Sequence, residues 1–286
     1  MFKKALALVC TAALCLSLVG CGSGNEGTSD STGESQATTS STAGTETSAA
    51  TVEDLKAIKD KGELVIGITD FEPMDYKDDS GNWIGFDADM ATAFAESLGV
   101  KAKFVEIEWD NKALELSSGS IDCVWNGMTL TDEVKNSMDC SKPYCNNAQI
   151  VIVPSDKADQ YQTEESLADL NFAVEVGSAG EEQAKEHSLK YTSVSNQASA
   201  LMEVAAGTSD AAIIDSLMAA AMVGEGTSYD KLTYTVGLNS EEYGVGFRQG
   251  SDLTEELNNF FKTSYDDGTM AKTAKKYGVQ AALIPQ

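Results

Sequence analysis

The sequence predicts an α/β protein of two lobes with a cleft between them. Three observations predict it. Short apolar runs of strand length alternate with stretches of helical period from residue 52 onward. The alternation completes one β-α-β-α-β series and then starts again near residue 148. About residues 52–286 remain for folding, enough for two medium domains.

The first 51 residues stand apart. Lys3 and Lys4 precede an almost wholly apolar run from Ala5 to Leu18, then Leu18-Val19-Gly20-Cys21. A charged start, a short apolar run and small residues before a cut site make an export signal, and the run is short for a bilayer span. The last four of these residues resemble a bacterial lipoprotein box, which implies lipidation of Cys21 as the mature N-terminus. An ordinary signal peptide and an uncleaved anchor are the alternatives. Residues 21–51 are Ser, Thr, Gly, Ala and Glu with almost no large apolar side chain, so they are expected to stay a disordered linker. Such a coil spans on the order of 30 Å.

The elements then follow in order. Val52, Leu55 and Ile58 fall at helical spacing. Glu63 to Ile68 is a buried strand, and the Asp78–Asn82 turn cluster makes Tyr76 to Phe86 a hairpin. Asp87 is placed as the cap of a helix ending at Leu98 before Gly99. Lys101–Ile107 and Ile121–Trp125 are strands around a helix over Asn111–Ser117. In the second series, strands fall at Ala148–Val153, Phe172–Val176, Lys190–Val194 and Ala211–Ile214. Helices fall at Glu164–Leu170, after Gly177-Ser178, at Gln197–Ala206 and at Ser216–Val223. Leu232–Val236 and Tyr243–Phe247 return as strands, and two helices close the chain. In open α/β sheets ligands bind beyond the carboxyl ends of strands. That points to Asp70, Trp125-Asn126-Gly127, Glu175 and Asp215.

Composition excludes several classes. The formal charge of −25 becomes −27 once residues 1–20, with two lysines and no acid, are removed. That argues against nucleic acid and anionic membrane surfaces as partners. One histidine, His187, and one arginine, Arg248, leave no histidine-rich metal site, and a Ser-His-Asp triad would have to use His187 from a solvated helix. There is no Walker loop, dinucleotide fingerprint or nucleophile elbow, so neither a metal nor a cofactor is expected. Cys123 reads as a small buried hydrophobe, while Cys140 and Cys145 are either thiols or a disulfide.

Several stretches together resemble the family 3 bacterial extracellular solute-binding proteins, which deliver polar amino acids to ABC transporters. They are Gly85-Phe86-Asp87-Ala88-Asp89-Met90, Gly127-Met128-Thr129-Leu130-Thr131, Cys140-Ser141-Lys142-Pro143-Tyr144, Gly177-Ser178, Ala211-Ala212-Ile213-Ile214-Asp215 and Tyr243-Gly244-Val245-Gly246. The resemblance covers about residues 52–284. It implies a periplasmic-binding-protein-like clamp: lobe one from 52–146 and 243–286, lobe two from 147–242, with crossings near Cys145–Ala148 and Glu241–Tyr243. Each lobe would be a mainly parallel sheet with flanking helices. It also implies an amino acid or small amine as ligand, an ABC permease as partner, a membrane tether through Cys21, extracytoplasmic location, a monomer and no catalysis. A dehydratase-like enzyme on the same clamp, or a sensor for a separate receptor, is the alternative.

The resemblance assigns the site residue by residue. Phe71 covers the ligand. Asn126, Gly127, Met128 and Thr129 present backbone and hydroxyl groups to a carboxylate. Ser178 opens a helix whose free N–H groups favour an anion, and Asp215 takes the α-ammonium. Asp70 and Glu175 add negative charge. One departure stands out: Val134 occupies the position where the family carries a carboxylate-gripping Arg. With no cation evident, the expected ligand is cationic.

Overall fold

The computed structural model describes residues 52–286. The export signal, Cys21 and the linker lie outside the described residues. The first lobe opens with α1 (Asp54–Lys61), β1 (Glu63–Ile68), the hairpin β2 (Tyr76–Lys77) and β3 (Trp83–Ile84), and α2 (Phe86–Ser97). It continues with β4 (Lys101–Glu106), α3 (Lys112–Ser118), β5 (Cys123–Thr129), α4 (Asp132–Ser137), β6 (Asp139–Cys140) and β7 (Cys145–Asn147). The second contains β8 (Gln149–Pro154), β9 (Asn171–Glu175), α5 (Ala179–Glu186), β10 (Lys190–Val194), α6 (Gln197–Ala206), β11 (Ala211–Asp215), α7 (Ser216–Met222) and β12 (Leu232–Gly237). The chain then returns through β13 (Glu241–Phe247) to α8 (Leu253–Asp266) and α9 (Thr269–Lys276).

Each sheet has a parallel core of three strands completed by antiparallel ones. Strand order is β4-β1-β5-β13-β6 in the first, with β7 also on β13, and β10-β9-β11-β8-β12 in the second. The parallel neighbours are β1 with β4 and β5, and β9 with β10 and β11. Their buried-on-both-faces sequences, such as Leu64-Val65-Ile66 and Ala211-Ala212-Ile213-Ile214, suit strands covered by helices on either side. The chain leaves the first sheet at Ala148 and re-enters it after residues 238–240. The flanking strands pair antiparallel, Glu241 opposite Asn147 and Tyr243 opposite Cys145. This two-strand link places the carboxyl ends of β1, β5, β9 and β11 around one cleft.

Three local expectations change, and one left open is resolved. Val52 lies outside α1 and forms a bridge with Ser251. Asp87 is not a cap: α2 starts at Phe86 after Gly85, and the Asp87 carboxyl is buried, accepting from the Gly127 N–H at 2.6 Å and the Tyr144 hydroxyl at 2.7 Å. The segment after Thr163 makes a single 3-10 turn, Glu164–Leu167, rather than a helix to Leu170. Cys140 and Cys145 are free thiols, opposite Gly246 and Tyr243, three residues apart on β13. Burial pushes the Cys140 thiol up to about 11 and raises that of Cys145 as well.

Candidate functional site between the two sheets

The first wall of the cleft comes from the ends of β1, β4 and β5. Thr69, Phe71, Trp109, Lys112 and residues 126–129 line it. Asn126 ties β5 to β1 with its whole amide. Its Oδ1 accepts from the Thr69 N–H at 2.9 Å and hydroxyl at 2.7 Å, and its Nδ2 donates to Thr69 O at 3.0 Å and Asp75 Oδ2 at 2.8 Å. An amide with two donated and two accepted bonds has nothing left for a ligand. Gly127 is required at its position. Its φ is +54°, and a Cβ there would lie 2.3 Å from the Phe71 ring. Phe71, buried, stands edge-on to Tyr243 with ring centroids 6.3 Å apart. Met128 turns its side chain into the core against Gly246.

The donors assigned to a ligand carboxylate at Asn126, Gly127 and Thr129 are therefore spent. The Gly127 N–H goes to Asp87, the Asn126 amide to Thr69 and Asp75, and the Thr129 hydroxyl to Glu241 Oε1 at 2.8 Å. Thr131 caps α4, accepting from the Val134 N–H at 3.2 Å. Val134 lines the cleft as an apolar, buried side chain. Arg248 is no substitute, because its guanidinium is bidentate to Asp54 and also donates to Ile121 O at 2.8 Å.

The second wall comes from the ends of β9 and β11 and the starts of α5 and α6. Glu175, Gly177, Ser178, Gln197 and Asp215 line it. Ser178 caps α5, accepting from the Glu181 N–H at 3.2 Å. Asp215 is held on every side. Its Oδ1 accepts from Asn147, from Gln149 Nε2 at 2.9 Å and from the Tyr243 hydroxyl at 2.8 Å, while Oδ2 accepts from Gln197. Burial, then the neighbouring Glu241, still raise its pKa to about 7. Glu175 differs: its Oε1 is buried with no hydrogen-bond partner. Burial first, and Asp215 second, push Glu175 up to about 8. Asp70 is exposed and does not line the cleft; Thr69, one residue earlier and buried, does.

Sequence reasoning missed Trp109, Lys112, Gln197 and Glu241. Trp109 and Lys112 follow β4, and the strand-end rule applied to β4 as well as β1 and β5 points to them. Gln197 follows β10 in the same way. Lys112 also corrects the expectation of a cleft without a cation. Its Nζ crosses from the first lobe to donate to Gly177 O at 2.9 Å and lies 4.9 Å from the Trp109 ring centre. Burial pushes Lys112 below the ordinary lysine range, against the pull of Glu133 and Glu175. The walls touch here: a Cβ on Gly177 would lie 2.8 Å from Asp110 Oδ1.

Comparison with known proteins identifies the family and the fold. The sequence model of the bacterial extracellular solute-binding proteins, family 3, matches residues 64–280. The arginine-binding extracellular protein ArtP of Bacillus subtilis (strain 168) is 30% identical over 96% of this chain and 98% of its own length. A crystal structure of a mutant of ArgBP from T. maritima superposes with a TM-score of 0.74 at 30% identity, covering 78% of this chain and 98% of that one. The ancestral amino acid-binding protein AncCDT-1, described as a precursor of cyclohexadienyl dehydratase, superposes at 0.72 with 35% identity, covering 79% and 99%.

Proposed function

Because the chain belongs to the bacterial extracellular solute-binding proteins, family 3, we propose that its cleft captures a cationic amino acid, or a related small amine, for an ABC permease. The carrying observation is Glu175, a buried carboxyl that lines the cleft with one oxygen unpartnered beside a second buried acid, Asp215. A desolvated carboxylate is costly alone and stable when paired, so such a site favours a ligand that brings an ammonium or guanidinium. Phe71 and Trp109 supply apolar faces for its stem. The arginine-binding names of the relatives agree with this charge. Ligand touching both walls stabilises the closed clamp by its differential affinity, and the permease reads closure.

The export signal and the box ending at Cys21 support a clamp held outside the cytoplasm by a lipid tether on Cys21. Among the described residues no helix is long and apolar enough to cross a membrane. Cys21→Ala should release the protein from membranes or stall its processing. Full membrane retention with cleavage after Gly20 would count against the tether. For the ligand, calorimetry with basic, neutral and acidic amino acids and simple amines is the test. Basic ligands should bind tightest, and tight binding of glutamate or aspartate would sink the charge reading.

A further inference from the structure

We infer that Lys112 is the anion subsite of the cleft, so that the ligand is a cation that also carries a carboxylate, not a plain amine. The inference rests on the amino-acid reading above and narrows it. Three observations carry it. First, on the first-lobe wall the donors assigned to a carboxylate are engaged inside the protein: the Asn126 amide, the Gly127 N–H and the Thr129 hydroxyl all bond to neighbours. Second, Lys112 reaches the cleft from the first lobe and donates there only to two backbone carbonyls, Gly177 O at 2.9 Å and Trp109 O at 3.4 Å. Among the described residues no carboxylate lies within ion-pair distance of it. Its charge is partly desolvated and feels Glu133, Glu175, Asp110 and Glu182 through space, with none of them in a direct ion pair with it. Third, the end of the helix on which it sits does not itself favour the charge. Lys112 is the first residue of α3, the end where the helix dipole disfavours a cation.

The cleft is then bipolar. Glu175 and Asp215 stand at the strand ends of the second lobe, and Lys112 enters from the first. A zwitterion with an extra positive charge matches both poles. Its carboxylate replaces weak carbonyl acceptors of the ammonium with a charge-assisted bond, and its cation meets Glu175. A diamine meets only the acids and is repelled by Lys112.

The test compares matched ligands on the full-length protein by calorimetry: L-arginine against agmatine and L-arginine methyl ester, and L-lysine against cadaverine. Each pair keeps the cation and removes or masks the carboxylate. The parent should prefer each amino acid by about tenfold or more. Lys112→Met, which keeps the apolar stem, should bring the ratio close to one by weakening the amino acid and leaving or improving the amine. Lys112→Arg should keep a preference. Thermal unfolding of each variant checks the fold, and Lys112→Gln serves if the Met variant is unstable. An unchanged ratio in Lys112→Met overturns the inference and leaves the amino-acid reading intact. Equal weakening of both members also overturns it, since Lys112 then only latches the lobes through Gly177. No binding of any of these ligands by the parent overturns the amino-acid reading itself, and this inference with it.

Discussion

Each lobe buries a pair of carboxyl groups, and the two pairs stand in different places relative to the cleft. In the first lobe Asp75 and Asp87 are fully buried, and burial raises both, Asp87 to about 7. In the second, burial raises Glu175 to about 8 and Asp215 to about 7. Both pairs contain a buried oxygen without a partner. Only the second pair lines the cleft. The first stands behind the wall: Asp75 holds the Asn126 amide, and Asp87 holds the Gly127 N–H and the Tyr144 hydroxyl. Perturbed acids alone therefore do not mark a site. Their access to open space does, and the first pair instead stiffens the wall that the ligand meets.

The largest expected effects separate the pairs by readout. Glu175→Gln should weaken a cationic ligand by the cost of an unpaired buried charge, about 3–5 kcal/mol, or roughly a hundredfold or more. Asp215→Asn should cost well over tenfold. Glu175→Gln should lower the stability of the ligand-free protein little, because it replaces an acid with an unpartnered oxygen by a neutral amide. Asp215→Asn should also cost some stability, by turning an amide N–H toward the donors of Asn147, Gln149, Tyr243 and Gln197. Asp87→Ala should do the reverse. It strips the acceptor from a buried N–H and a buried hydroxyl, at about 1–3 kcal/mol for each group left unsatisfied. Its main effect belongs in denaturant melts. Equal loss of affinity and stability in all three variants would erase the distinction.

Proton linkage sharpens the same contrast. A carboxyl raised by burial holds its proton longer in the folded than in the unfolded chain. Its stabilisation is fully present below the unfolded value and lost as pH rises through the folded one. For Glu175 that window runs from 4.5 to about 8, and for Asp215 from 3.8 to about 7. Ligand-free stability should fall across it. A bound cation favours the ionised forms, so saturating ligand should flatten the part due to Glu175 and Asp215 and leave that of Asp75 and Asp87. Binding near pH 7 should release up to about one proton from Glu175. Calorimetry in buffers of different ionisation enthalpy reads that proton. Release that persists in Glu175→Gln would assign it elsewhere.

A smaller effect tests the wall itself. Gly127→Ala forces a Cβ to 2.3 Å from the Phe71 ring at a φ of +54°. It should cost about 1–3 kcal/mol of stability, read in denaturant melts, and tilt Phe71 into the cleft. A neutral outcome would mean the wall is soft and Phe71 free to move.

Much of this was legible in the sequence because strand and helix periods are local. The β-α alternation located both sheets, and strand ends located Glu175 and Asp215. What the sequence hid was non-local. Asp87 looks like a cap because it follows Gly85-Phe86, yet its partners, Gly127 and Tyr144, are 40 and 57 positions away. Asn126 looks like a ligand donor because nothing in the sequence shows that Thr69 and Asp75 exhaust its amide. Lys112 looks like the polar start of a surface helix until the second lobe places Gly177 against it.

Asp70 gives the smallest expected effect and the sharpest limit on the comparison. It ends the same strand region as Thr69 but is exposed and outside the cleft lining. An exposed carboxylate acts on a bound cation only through solvent, where pair energies are about 0–1 kcal/mol and salt screens them. Asp70→Asn should therefore shift affinity for a basic amino acid by less than about threefold, and the shift should vanish between about 0.05 and 0.5 M salt. The association rate should carry most of it, since rim charges steer encounter more than they hold the complex. A salt-insensitive loss of tenfold would show that Asp70 turns into the cleft when ligand is present. Cation selectivity would then be shared by both lobes rather than held by the buried pair of the second.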